Sequence, residues 1–239
     1  MDGVRRSLTV LLALLLAEAL LLAERPAPRR PREALQAFNE LIGSWRGTGQ
    51  PEGTRTEKQR GFWVETMEWE WQFKGIDAWL TVAFEKSKHF TKGELRYLAG
   101  KDAYQLTLHT LGKAVLTFEG RLADNRLTVD RVDEKTKEAQ RLVVTLLHNN
   151  RFLYRYEVKA ADRSQYTKLY QVGATKEGEA FAAGGTGPEC VVSGGLGTST
   201  VMYQGKTYYV CCSGCRRAFQ DEPEKYIKEY EESKAKKGK

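Results

Sequence analysis

The stretch Met67-Glu68-Trp69-Glu70-Trp71-Gln72-Phe73-Lys74 decides the fold. Large apolar residues alternate with charged or polar ones, which is the period of a strand with one dry face and one wet face. Ala78, Leu80, Val82 and Phe84 carry the period into the next segment. It returns in Tyr104, Leu106 and Leu108, in Leu116 and Phe118, in Leu127 and Val129, and in Leu142, Val144 and Leu146. Phe152, Tyr154, Tyr156 and Val158, and then Tyr166, Tyr170 and Val172, complete the series. Short turns separate the runs: Gly100-Lys101-Asp102, Gly112-Lys113, Asp124-Asn125, Asn149-Asn150 and Asp162-Arg163 all carry hairpin chemistry. No proline, which would interrupt ladder hydrogen bonds, occurs between Pro51 and Pro188. Residues 43–174 therefore read as eight to ten antiparallel strands in meander order, a mainly β fold. So many half-wet strands remove their edges by closing into a barrel. Ahead of them, Leu35, Phe38, Leu41 and Ile42 recur at helical spacing, so Arg32 to Ile42 reads as a short amphipathic helix.

A helix, then Gly43-Ser44-Trp45, then a meander resembles the lipocalin-type barrels, including the small bacterial relatives of that shape. The resemblance implies an up-and-down barrel over 32–174 whose interior could carry an apolar small molecule or haem. Trp69, Trp71 and His148 are the candidate ligand-binding residues inside it, set against the plainer reading that they are core and rim. Glu65 breaks the apolar pattern on the side of Trp63 and Met67, so it reads as an inward carboxylate that orients a ligand or pairs with Arg131 or another inward base. His89 falls in a charged loop, and His109 shares a polar face with Gln105 and Thr107.

All four cysteines, Cys190, Cys211, Cys212 and Cys215, lie in one stretch near the C-terminus. Cys190 follows Pro188-Glu189 and enters a loop rich in Gly and Ser. Val201 to Val210 reads as a hairpin turning at Gln204-Gly205-Lys206, and Ser213 onward as a helix start. Residues four apart share a helix face, so Cys211 and Cys215 can point at one centre while Cys212 points elsewhere. Cys190 can close the site from its loop. A helix N-terminus beside Arg216 and Arg217 favours thiolate, the form that binds metal.

The order Cys190, Gly205-Lys206-Thr207-Tyr208-Tyr209-Val210-Cys211-Cys212-Ser213-Gly214-Cys215, Phe219 and Asp221-Glu222-Pro223-Glu224-Lys225-Tyr226-Ile227 resembles the YHS/TRASH family of small metal-binding modules. It covers roughly residues 186–230. The family implies a treble-clef-like α+β fold that holds a soft metal and acts in heavy-metal trafficking, resistance or sensing. By position it makes Cys190, Cys211 and Cys215 the metal ligands, with Cys212 a fourth candidate if the backbone kinks. Many members begin with a C-P-x-C knuckle, whose first position is Gly187 in this chain. Three thiolates suit trigonal Cu(I), or Zn with an open fourth position. The same four cysteines could instead form two disulfides in an oxidising compartment.

Arg5 and Arg6 precede an apolar run from Leu8 to Ala23, the layout of a secretory signal, with Ala17-Glu18-Ala19 or Ala23 as the cleavage site. Export to the periplasm or the exterior is the expectation; left uncleaved, this segment would be the only membrane attachment. The chain divides into the signal or anchor at 1–23, a Pro/Arg linker at 24–31, the barrel at 32–174, and a Gly-rich linker at 175–186. The metal module follows at 187–232, and a basic tail at 233–239. The net charge is +7, but the cations are spread out with their densest runs near the ends, at Arg25 to Arg32 and Lys234 to Lys239, and no stacking or helix-turn-helix pattern accompanies them, so nucleic acid is not an expected partner. The expected partners are a metal ion and a metal transporter or chaperone. No triad spacing, phosphate loop or pair of catalytic carboxylates stands out, and C-x3-C is not the C-x-x-C of thiol-exchange enzymes, so the chain reads as a binding protein and not an enzyme.

Overall fold

The computed structural model describes residues 29–148, 150–178 and 187–237. The apolar N-terminal run, most of the Pro/Arg linker, residues 179–186 and the last two residues lie outside the described residues, as does the side chain of His148. The chain opens with a short helix α1 (Pro31–Leu35) that tightens into a 3-10 helix (Gln36–Leu41). Ten strands follow: β1 (Gly43–Pro51), β2 (Trp63–Lys74), β3 (Asp77–Glu85), β4 (Phe90–Leu98), β5 (Ala103–Thr110), β6 (Val115–Ala123), β7 (Arg126–Val132), β8 (Ala139–His148), β9 (Arg151–Lys159) and β10 (Thr167–Lys176). A helix α2 (Arg55–Gly61), which has no hydrophobic face and was not evident from periodicity, links β1 to β2 and starts with a Thr54–Glu57 capping box.

Each strand pairs antiparallel with its sequence neighbour, and β1 pairs with β10, so the sheet closes as a ten-stranded up-and-down barrel. The alternation holds in three dimensions: Met67, Trp69 and Trp71 are buried on β2, Leu80 and Val82 on β3, Leu142, Val144 and Leu146 on β8. Gly49 on β1 faces the Trp63 ring so closely that a Cβ would overlap it, which explains a glycine in a strand there.

One barrel end is closed by the first helical segment. Ala34, Leu35, Phe38 and Leu41 are buried in it. Tyr104 donates its hydroxyl to the Ala34 carbonyl at 2.9 Å, and the Trp45 indole donates to the Leu41 carbonyl at 2.7 Å. The tryptophan of Gly43-Ser44-Trp45 is thus a pin between plug and wall. One amphipathic α-helix was expected over 32–42; the tighter 3-10 turn brings Phe38 and Leu41 onto the barrel end.

Beyond the barrel come a two-stranded hairpin, β11 (Ser199–Tyr203) and β12 (Lys206–Val210), and two helices, α3 (Ser213–Asp221) and α4 (Pro223–Lys237). Gln204 and Gly205 both take positive φ, the conformation of a tight hairpin turn. β10 runs to Lys176, into the stretch read as a linker, and α4 runs through most of the stretch read as a fraying tail.

The cysteine module rests on the wall of the barrel. β1 first pairs with β2 at Gly43–Trp69, so Trp71 lies past the covered part of β2. The Cys212 sulfur faces the Trp71 backbone, which helps to lower its thiol, and Gly214 on α3 sits against the Trp71 carbonyl. Ser213 donates to Glu70, Arg217 to Gln72, and Lys225 to the Gly75 carbonyl. Phe73 meets Tyr226 edge to face, and Arg32 pairs with Glu229.

Glu65 is fully buried. Its carboxylate accepts from the Trp63 indole at 2.9 Å and the Tyr154 hydroxyl at 2.6 Å, and from no cation among the described residues. Arg131, one partner suggested by the pattern, bonds to Gln140 and Asp133 instead.

Two substitutions probe these anchors in urea unfolding. Tyr154→Phe leaves Glu65 short of a donor and should lower stability by about 1–3 kcal/mol. Gly214→Ala places a methyl 1.6 Å from the Trp71 oxygen, a backbone atom that has no rotamer to move. It should cost about 2 kcal/mol or more and expose the module to limited proteolysis. An unchanged midpoint and digestion pattern for Gly214→Ala would remove the docking contact from the account.

Candidate metal centre

The sulfur atoms of Cys190, Cys211 and Cys215 lie within 4.8 Å of one another. All four cysteines are free thiols. Three sulfurs around one ion at a bond length of about 2.3 Å stand about 4 Å apart, so the observed set needs only small side-chain adjustments to grip one. Among the described residues no histidine or carboxylate joins this group.

Each sulfur is placed by a different device. Cys190 sits in a tight turn: its carbonyl accepts from Gly194 N–H at 3.0 Å, and its sulfur accepts from Ser193 N–H at 3.5 Å. Val191 N–H bonds to the Tyr209 carbonyl and ties that turn to β12. Cys211 follows the last residue of β12. Cys215 lies in the first turn of α3 and is fully buried, as is Cys190. Below them, Val210, Phe219, Tyr226 and Val201 form the module's small core.

The expectation that Cys211 and Cys215 share a helix face does not hold. The helix starts at Ser213 with Cys212 as its N-cap, so Cys211 is still in the strand exit. The two sulfurs meet across the cap, 3.4 Å apart. Cys212 lies beside these sulfurs. Its sulfur caps the helix by accepting Cys215 N–H at 3.5 Å and lies 3.9 Å from the Cys211 sulfur. It stands outside the set of three.

The protons are shared within the cluster. Cys190 and Cys212 are held far below the ordinary thiol value, chiefly by the neighbouring Cys211 thiol, with Cys215 next. Cys211 is pushed up by its bonds to Cys190 and Cys212, and burial pushes Cys215 well up. Cys211 and Cys212 are the partly exposed pair, so they form the approach to the buried sulfurs.

The support around the sulfurs was not legible from cysteine spacing. Ser193 is fully buried; its hydroxyl lies 3.4 Å from the Cys211 sulfur and accepts Gly195 N–H. Its carbonyl accepts from Gln36 and Asn39. Asn39 in turn accepts the Trp71 indole N–H at 3.0 Å, so one amide joins the barrel plug, the barrel wall and the cysteine turn. The only sequence signal was a serine three residues after a cysteine in a Gly-rich loop.

The barrel candidates fall elsewhere. Trp71 is fully buried, bonded to Asn39 and stacked on Phe73, in the seam between barrel and module. Trp69 lines the interior, where the remaining cavity is only ≈ 20 Å³, too little for haem or any organic ligand. His148 pairs through its backbone with Arg151 at the end of β8. His109 lines a shallow outer groove with Glu68, Glu70 and Glu94. His89 is not a solvated loop residue: it stacks on Tyr170 at 4.0 Å, and burial holds its imidazole down at about 4.

No curated protein matches the chain. Residues 199–230 match the model of the YHS domain family, a stretch that holds the hairpin, Cys211, Cys212, Cys215 and the start of α4. Together with the sulfur cluster that Cys190 completes, a YHS domain in this position suggests a metal-binding module built onto the wall of a β-barrel.

Proposed function

We propose that the chain is an exported protein that captures a soft metal ion through Cys190, Cys211 and Cys215 and hands it to a transporter or chaperone. The convergence of three sulfurs is the observation that carries this reading. Cu(I) is the first choice of ion. Soft thiolates select it and three of them complete its trigonal shell, whereas Zn(II) would need a fourth donor beyond these three. Export is supported by the basic start and apolar run at Arg5 to Ala23, and delivery by the partial exposure of Cys211 and Cys212 on one side of the cluster.

The buried pair and the exposed pair divide the work. Cys190 and Cys215 are fixed by a turn and a helix start, so their positions hold whether or not an ion is bound. Cys211 ends a strand and is the ligand nearest solvent, which suits entry and exit by exchange with an incoming thiolate. Cys212 is a cap that faces Trp71, so it serves as a positioning residue for the helix that carries Cys215.

Metal content after anaerobic reconstitution of reduced full-length protein with Cu(I) tests the assignment. The wild type should hold one equivalent, and the double variant Cys211→Ser with Cys215→Ser none. Cys212→Ser should still hold one equivalent, with affinity weakened by about tenfold as for the loss of a supporting contact. Equal metal in wild type and double variant would sink the site, and a preference for Zn(II) over Cu(I) would overturn the choice of ion.

A further inference from the structure

The barrel has a second opening, at the end away from the cysteines. A cavity of ≈ 550 Å³ lies there, lined by Trp63, Lys88, His89, Thr110, Tyr156 and Tyr170 together with apolar neighbours. The size is that of a small-molecule site, while the interior below it is filled.

The walls are flat rings set in parallel by strand register. Pro51 on β1, Tyr170 on β10 and Tyr156 on β9 lie side by side. His89 stacks on Tyr170 with an interplanar angle of 5°, and Tyr170 stacks on Tyr156 at 5.4 Å with the same angle. Trp63 meets His89 and Tyr170 edge to face. Trp63 is itself fixed by its bond to the buried Glu65.

The polar groups in this wall are unspent. Tyr170 is 7% exposed, and its hydroxyl has no hydrogen-bond partner among the described residues. Tyr170 lines the cavity, where an acceptor can meet its hydroxyl. Burial holds Tyr170 protonated, as a donor, and His89 neutral, with one donor and one acceptor nitrogen. The Tyr156 hydroxyl and the His89 ring nitrogens likewise have no partner among the described residues. Lys88 is the charged side chain in the lining, with its ammonium 5.5 Å from the Trp63 ring centre. Exposed Leu111 and Leu169 extend the apolar rim.

We propose that this open end binds a planar conjugated organic anion. Its ring lies against Trp63 and the His89–Tyr170–Tyr156 stack, a neutral acceptor atom takes the Tyr170 hydroxyl, and its anionic group stays at the rim beside Lys88. The order is fixed by charge: Lys88 is the charged side chain of the lining and stands at the mouth. This site is separate from the sulfur cluster and does not depend on it.

The probe is 8-anilinonaphthalene-1-sulfonate, a flat aromatic anion, titrated into folded full-length protein by fluorescence and calorimetry. One saturable site is expected. Lys88→Glu should weaken it about fivefold, and Tyr170→Phe by a similar factor. The neutral N-phenyl-1-naphthylamine should be indifferent to Lys88→Glu, and the Cys211→Ser with Cys215→Ser variant should bind the anion as the wild type does. Absence of saturable binding, or affinity unchanged in both Lys88→Glu and Tyr170→Phe, would overturn the site. A neutral probe bound as tightly as the anion would overturn the choice of an anion.

Discussion

The backbone of Trp71 is the constraint on which the arrangement depends. β2 is twelve residues long, and β1 begins pairing with it only at Trp69, so the next outward-facing N–H and C=O belong to Trp71. Unpaired backbone groups near a packed seam are costly, about 1–3 kcal/mol each, so something must meet them. The first turn of α3 covers them, with the Cys212 sulfur facing the Trp71 backbone and the Cα of Gly214 against the oxygen. The helix that carries Cys215 is therefore seated on the sheet, and the sulfur cluster inherits the rigidity of a closed barrel. A bare module of this size would have only a small core of its own to hold three thiols near one point.

The same seam explains why Trp71 is not a ligand residue although it lies on the inward parity of β2. At this height the barrel interior has ended, and Trp71 faces the plug instead, where Asn39 takes its indole N–H and passes a second bond to Ser193. Plug, wall and cysteine turn share one side-chain amide. Loss of that amide would free three elements at once, which makes the seam cooperative rather than a sum of separate contacts.

The barrel was legible because its signal is local: a period of two, short polar turns and no proline are properties of consecutive residues. The convergence of cysteines was legible in outline because few geometries satisfy that spacing beside a hairpin and a helix start. What stayed hidden depends on residues far apart in the chain. Cys211 and Cys215 look like helix neighbours until the cap is fixed by Trp71, which lies well over a hundred residues earlier. Glu65 looked like half of an ion pair because its partners, Trp63 and Tyr154, are neutral donors and carry no charge signal. His89 read only as part of a charged loop, whereas its environment is set by Tyr170 on the other side of the closing seam.

β2 runs from one candidate site to the other. Trp63 stands at the open mouth and Trp71 at the cysteine seam, about 26 Å apart at the rise of a strand. Between them Glu65, Met67 and Trp69 point into a core whose remaining cavity is ≈ 20 Å³. A strand in such a core has no small displacement available: moving by one residue would turn Glu65 and Trp69 outward and their charged neighbours inward. The strand thus behaves as a fixed strut. Events at one end reach the other only through loss of the barrel itself, and substitutions at the two ends should add in free energy, as they do for distant sites with no shared partner. The fold accordingly holds two chemically unlike surfaces at a set separation, with thiols at the closed end and stacked rings at the open end, and the packed interior is what keeps them independent.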